Sequence, residues 1–175
     1  MKNSGLIQCY TGNGKGKTTA ALGLALRAAG HDKKIKIFQF MKGQINYGEL
    51  YSVKKLYPNI EIFQGGRKEF VSKEKPEEID IKLANNCWEE AKRAISSGDY
   101  DIIILDELNV ALDFNLLDID DVIKTLKNKP KNVEIIITGR YAPEKIIEIS
   151  DLVTEMKEIK HYYKKGIPER EGFEY

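Results

Sequence analysis

The chain has 175 residues, with 28 Lys+Arg against 27 Asp+Glu, so its formal net charge is +1. That length predicts one domain spanning residues 1–175. The balanced charge argues against a nucleic-acid or membrane-surface binder, which carries a basic excess, and the recurring Ile, Leu and Val argue against disorder. Two cysteines, Cys9 and Cys87, have no CxxC or metal-ligand spacing, and no run reaches the roughly 18 apolar residues a membrane span needs. Together these predict buried, reduced thiols in a cytoplasmic protein.

In chain order, Gly5 to Tyr10 reads as a first strand and Lys17 to Ala29 as an Ala- and Leu-rich helix. Between them lies Thr11-Gly12-Asn13-Gly14-Lys15-Gly16-Lys17-Thr18-Thr19. It matches the end of the phosphate-loop pattern G-x-x-x-x-G-K-[ST] but has Thr11 at the first position. The physics survives that misfit. Glycines let backbone N–H groups curl around phosphate oxygens, and the helix N-terminus adds positive charge. Lys17 supplies a point charge for phosphates, and Thr18 offers a hydroxyl to Mg²⁺.

Lys34 to Phe40 alternates as a second strand, Glu49 to Tyr57 is a weak helix, and Asn59 to Gln64 is a third strand. Residues 65–75 are glycine-rich and charged, hence a loop, and Pro76 fits the first turn of a long helix reaching Ser97. Asp101 to Leu105 is a continuous apolar run, as in a strand covered on both faces. It leads into Asp106-Glu107, which places carboxylates at the sheet edge where they can hold Mg²⁺. A helix marked by Ile119, Val122, Ile123 and Leu126 follows, then a strand from Val133 to Thr138 that runs into Gly139-Arg140 at the same edge. Pro143 opens a helix to about Ser150, Leu152 to Ile159 reads as a last strand, and Lys160 to Tyr175 has no clear period.

Strands alternating with helices predict an α/β protein, a mostly parallel sheet with helices on both faces, and with the phosphate loop a P-loop NTPase (RecA-like) fold. No arginine-rich lid of the kind kinases use is evident. The edge loops carry Met41-Lys42-Gly43-Gln44, Phe70, Asn109 and Tyr141, a rim suited to a large, partly apolar second substrate.

The strings TGNGKGKTTAALGLALRAAG, FMKG, ILDELNVAL, TGRYAP and DLVTEMKEIKH resemble the P-loop type ATP:corrinoid adenosyltransferases of adenosylcobalamin biosynthesis and salvage, from Gly5 to the C-terminus. Thr11 also belongs to that family's pattern. The resemblance implies that a corrinoid reduced to Co(I) attacks the 5′ carbon of ATP and that intact triphosphate leaves. It also implies that ATP lies in the loop in the reverse of its usual orientation. It assigns Gly12, Asn13, Gly14, Lys15, Gly16, Lys17, Thr18 and Thr19 to ATP, with Lys17 and Glu107 as the catalytic pair and Thr18, Glu107 and Asp106 on the metal. Asn109 and Arg140 fall in matching motifs near the substrates.

No general base is required, because no proton leaves the nucleophile, and His31 and His161 read as surface or packing residues. A flavoprotein reductant and a homodimer are further implications of the resemblance. The sequence departs from the family in two places. Its first strand begins by residue 5, where many bacterial members carry an N-terminal extension that helps cover the corrinoid. Those members also place a Phe and, two residues on, a Trp in the loop after the third strand, a pair that displaces the lower axial ligand. Here Phe70 stands at the first position and Ser72 at the second. The competing readings are a P-loop kinase or NTPase acting on another small molecule, and a nucleotide-dependent module that delivers corrinoid without chemistry.

Overall fold

A computed structural model describes residues 4–43 and 47–175. Six strands form one sheet in the order β3-β2-β4-β5-β1-β6. They are β1 (Ile7–Thr11), β2 (Ile35–Phe40), β3 (Ile60–Gly65), β4 (Ile102–Asp106), β5 (Glu134–Thr138) and β6 (Leu152–Glu155). Every pairing is parallel. The helices between them are α1 (Lys17–Ala29), α2 (Gly48–Lys54), α3 (Glu78–Ser97), α4 (Leu108–Asp113), α5 (Ile119–Lys127) and α6 (Glu144–Ile149). The expected α/β architecture is therefore present, and β5 separates the phosphate-loop strand from the acidic strand.

The alternation of side chains along each strand divides the core in two. Ile103 and Leu105 of β4 join Cys87, Trp88, Ala91 and Ile95 of α3 on one face, with Val122 and Leu126 of α5 and Ile146 of α6. Ile102 and Ile104 face the other way, against Ala21 and Ala25 of α1. With both faces covered, β4 is buried along its whole length, which is why Ile102 to Leu105 is an unbroken apolar run before Asp106.

Several predicted boundaries move. Pro76 lies outside α3, because the helix is started by a capping box in which the Glu77 carboxylate and the Asp80 carboxylate each accept the other's backbone N–H. Arg67 bonds both carboxylates and ties the preceding loop to this start. The last strand ends at Glu155 rather than Ile159, because Met156 turns away from the sheet edge to meet the phosphate loop. Two elements carry no sequence signal. The six residues of α4 are too few to show a helical period, and the 3-10 turn Tyr162–Lys165 sits in the aperiodic tail. Both cysteines are buried and free, as expected.

Candidate active site

The carboxyl ends of β1, β2, β4 and β5 converge on a cleft of about 940 Å³. Its floor is the phosphate loop between β1 and α1. At Gly12 φ is +92, and a Cβ there would lie 2.6 Å from the Met156 carbonyl, so no other residue fits without moving the chain. The Gly14 N–H donates to the same carbonyl at 2.6 Å. Gly16 is the N-cap of α1, so the first turn of a 13-residue helix points its backbone N–H groups into the cleft.

Lys17 is buried, and its Nζ donates to the Gly12 and Gly14 carbonyls at 2.8 and 2.7 Å. Burial holds its ammonium below the ordinary lysine value, and the Arg140 charge pushes the same way against Glu107 and Asp106. A cation poised at such a desolvation cost is suited to an incoming polyanion.

Asp106, the last residue of β4, is 1% exposed, and both its oxygens accept hydrogen bonds. Its Oδ1 accepts from Thr18 Oγ1 at 2.8 Å and Thr138 Oγ1 at 2.7 Å, and its Oδ2 from Lys42 Nζ at 2.8 Å. The Asp106 carboxylate, helped by Glu107, outweighs burial and holds the Lys42 ammonium above its ordinary value. Glu107 lines the cleft, with its backbone N–H donating to Thr138 Oγ1 at 3.0 Å. Burial pushes its carboxyl above the ordinary range, and the adjacent Asp106 charge adds to that push.

A raised carboxyl means that the folded state holds its proton more tightly than the unfolded chain. Stability therefore falls as pH climbs from the ordinary value of 4.5 through the raised one. Glu107→Gln, which cannot ionise, is expected to melt higher than the parent at pH 7 without ligand, by roughly 2–4 °C per kcal/mol relieved. The difference should shrink toward pH 4.5. Thermal melts across that range check it, and a lower melting temperature at pH 7 would contradict it.

Three non-glycine residues in left-handed backbone stand just beyond these strand ends: Met41 (φ 60) after β2, Glu107 (φ 62) after β4 and Tyr141 (φ 57) after β5. Strain of this kind gathers at functional sites. Here it flanks Lys42, the acid pair and Arg140.

The structure brings Gly14, Lys15, Gly16, Lys17, Thr18, Thr19, Glu107 and Arg140 into one cleft, with Asp106 directly beneath. Gly12 and Asn13 do not line the cleft, and the Gly12 carbonyl accepts from Lys17 Nζ. Lys15 turns to the C-terminal segment, donating to the Phe173 carbonyl at 2.8 Å and Glu174 Oε1 at 2.7 Å. That segment, which shows no period in the sequence, supplies much of the opposite wall, including Tyr162 and Tyr175.

Asn109 does not reach the cleft. It is fully buried, and its Nδ2 donates to the Gly139 carbonyl at 3.1 Å, bracing the turn that carries Arg140. Phe70 is 99% exposed in the loop between β3 and α3 and does not line the cleft. Of the expected rim, Gln44 lies outside the described residues. Lys42, expected on the rim for a second substrate, and Thr138, expected only as the end of a strand, both bond Asp106 at strand carboxyl ends, the place where ligands bind in such sheets.

Among the described residues no cluster of three or more His, Cys, Asp or Glu could hold a metal by itself. Thr18, Asp106 and Glu107 instead form a small set of oxygen donors at the cleft floor. That set suits Mg²⁺, which takes one or two carboxylates and completes its shell with phosphates and water.

A family model described as ATP:corrinoid adenosyltransferase BtuR/CobO/CobP matches residues 3–175. A corrinoid adenosyltransferase of Escherichia coli K12 is 36% identical over 171 residues, covering 98% of this chain and 86% of that one. The corrinoid adenosyltransferase CobA of Salmonella typhimurium is 35% identical over 175 residues, covering 100% and 88%. An uncharacterized Nostoc protein is 40% identical over 170 residues, but the chain spans only 45% of its length. Among solved structures, a KaiC-like protein from Pyrococcus horikoshii superposes with a TM-score of 0.54 at 15% identity, covering 91% of this chain and 75% of that one. That likeness shows the fold. No helix among the described residues is long and apolar enough to cross a membrane.

Proposed function

This chain belongs to the ATP:corrinoid adenosyltransferase family, and from that membership we propose that it transfers the 5′-deoxyadenosyl group of ATP to the Co(I) of a reduced corrinoid. The observation that carries the proposal is the family match over residues 3–175, which takes in both the phosphate loop and the Asp106-Glu107 strand end. The cobalt lone pair attacks C5′, the C5′–O bond breaks, and triphosphate departs with the bonding electrons. What this step needs from the protein is stabilisation of charge on the leaving oxygens. The first turn of α1, Lys17 and Arg140 supply it at one end of the cleft. Thr18, Asp106 and Glu107 would hold Mg²⁺, which would neutralise phosphate charge.

On this reading residues 1–175 act as one nucleotide-binding and adenosyl-transfer domain. The chain works in the cytoplasm as a homodimer with a flavoprotein as electron donor, and its buried, free Cys9 and Cys87 suit a reducing compartment. Phe70, standing clear of the protein surface, reaches the corrinoid rather than ATP.

The test is the nucleotide product. Mg-ATP with a chemically reduced corrinoid should yield inorganic triphosphate and an alkylated corrinoid. ADP with a phosphorylated acceptor would assign a kinase instead, and corrinoid binding without alkylation would assign a delivery module. In the same assay Phe70→Ala should lose more activity starting from Co(II) with a reductant than from preformed Co(I), and equal losses would remove it from cobalt activation.

A further inference from the structure

We propose that Lys42 is a second phosphate-binding cation of this site, gripping the triphosphate from the side opposite Lys17. The proposal rests on the ATP-dependent reading above. Lys42 follows β2, at the same sheet edge as the ends of β1, β4 and β5, and the left-handed turn at Met41 directs it into the cleft. Its side chain is 17% exposed, so most of its length is packed. The ammonium lies 2.8 Å from Asp106 Oδ2 and 5.4 Å from the centroid of the Tyr47 ring, over which it sits.

A lysine has three donors. Among the described residues Asp106 takes one of them, and the cleft is where the others can be used. Asp106 receives Thr18 on its other oxygen. One buried carboxylate therefore fixes both a loop hydroxyl and a lysine against the same space. Lys17 approaches that space from the loop on β1, and Lys42 from β2, three strand positions away across β4 and β5. A chain of three phosphates, carrying about four negative charges, is long enough to meet both cations, whereas one phosphate is not. The charge on Lys42 thus serves the departing group as well as Asp106.

The alternative is that Lys42 only neutralises buried Asp106. The two roles separate in an Asp106→Asn background, where the carboxylate paired with Lys42 at 2.8 Å is gone. Equilibrium binding of inorganic triphosphate is measured by calorimetry without Mg²⁺, for Asp106→Asn and for Lys42→Met with Asp106→Asn. If Lys42 contacts phosphate, its loss weakens triphosphate binding roughly ten- to hundredfold, the loss of one charge-assisted hydrogen bond, while inorganic phosphate binding changes little. Equal triphosphate affinities overturn the proposal.

If the double variant does not fold, the same comparison is made between Lys42→Met and Lys42→Arg with Asp106 intact. Arginine should keep triphosphate affinity within a few fold of the parent, and equal affinities of the two variants overturn the proposal. So does absence of triphosphate binding by the unaltered protein. Adenosyl transfer by the unaltered protein is scored separately. Its failure would remove the corrinoid acceptor and leave the triphosphate result standing.

Discussion

Lys17→Ala is expected to lower turnover by about 10²–10³-fold, the effect of removing one preorganised charge from a developing anion. The reason lies in where the lysine sits. It is 7% exposed, its ammonium is held between two loop carbonyls, and burial already disfavours its charge. A cation kept ready at that cost attracts the leaving triphosphate more strongly than a solvated one would, because little water stands between them. Alanine also removes a desolvated charge from the free protein, so the melting temperature should stay close to that of the parent. Steady-state kinetics with ATP varied, together with a thermal melt, decide the matter. Near-normal turnover would exclude Lys17 from the chemistry. A collapse of the melting temperature would make it a structural residue.

The largest loss of stability is expected from Gly65→Ala. Gly65 ends β3 beneath the middle of α3, and a Cβ placed there would lie 2.2 Å from the Cys87 Cβ and 2.4 Å from its Sγ. Cys87 is fully buried, with Trp88 and Ala91 packed beside it, so it has nowhere to go. The added methyl must push α3 off the sheet or displace β3 from β2. Overpacking of this kind costs about 1–3 kcal/mol and sometimes more. In a chain of this length that is a fall in melting temperature of roughly 2–4 °C per kcal/mol. Denaturant titration measures the free energy directly, and a loss below the low end of that range would mean that α3 is not seated as described. Gly65→Ala with Cys87→Gly should recover part of the loss, since it removes the clashing atoms.

Much of this architecture is legible in the sequence because its signals are local. Lys17–Ala29 forms as expected, and its small residues Ala21 and Ala25 give it a face that lies close against the sheet. The β4 run reads as a doubly covered strand because it is one. The phosphate loop and the acid pair were found by spacing and by the ends of strands. What escaped depends on contacts between distant residues. The bonds of Lys42 and Thr138 to Asp106 exist only when β2, β4 and β5 lie side by side. Asn109 shares a motif with the acids, yet the helix begun at Glu107 turns it inward to Gly139. The tail has no period, because its order comes from Lys15, Arg170 and Tyr162 gathered on Glu174 rather than from a repeating apolar face.

The central claim is that the carbon, and not a phosphate, of ATP is what moves. It is tested most directly with ATP carrying ¹³C at the 5′ position and a corrinoid reduced to Co(I). The account predicts that the label appears in a cobalt–carbon bond, lost on exposure to light, with one inorganic triphosphate released for each bond formed. Label retained in ADP, AMP or free adenosine, with the corrinoid unalkylated, would contradict it.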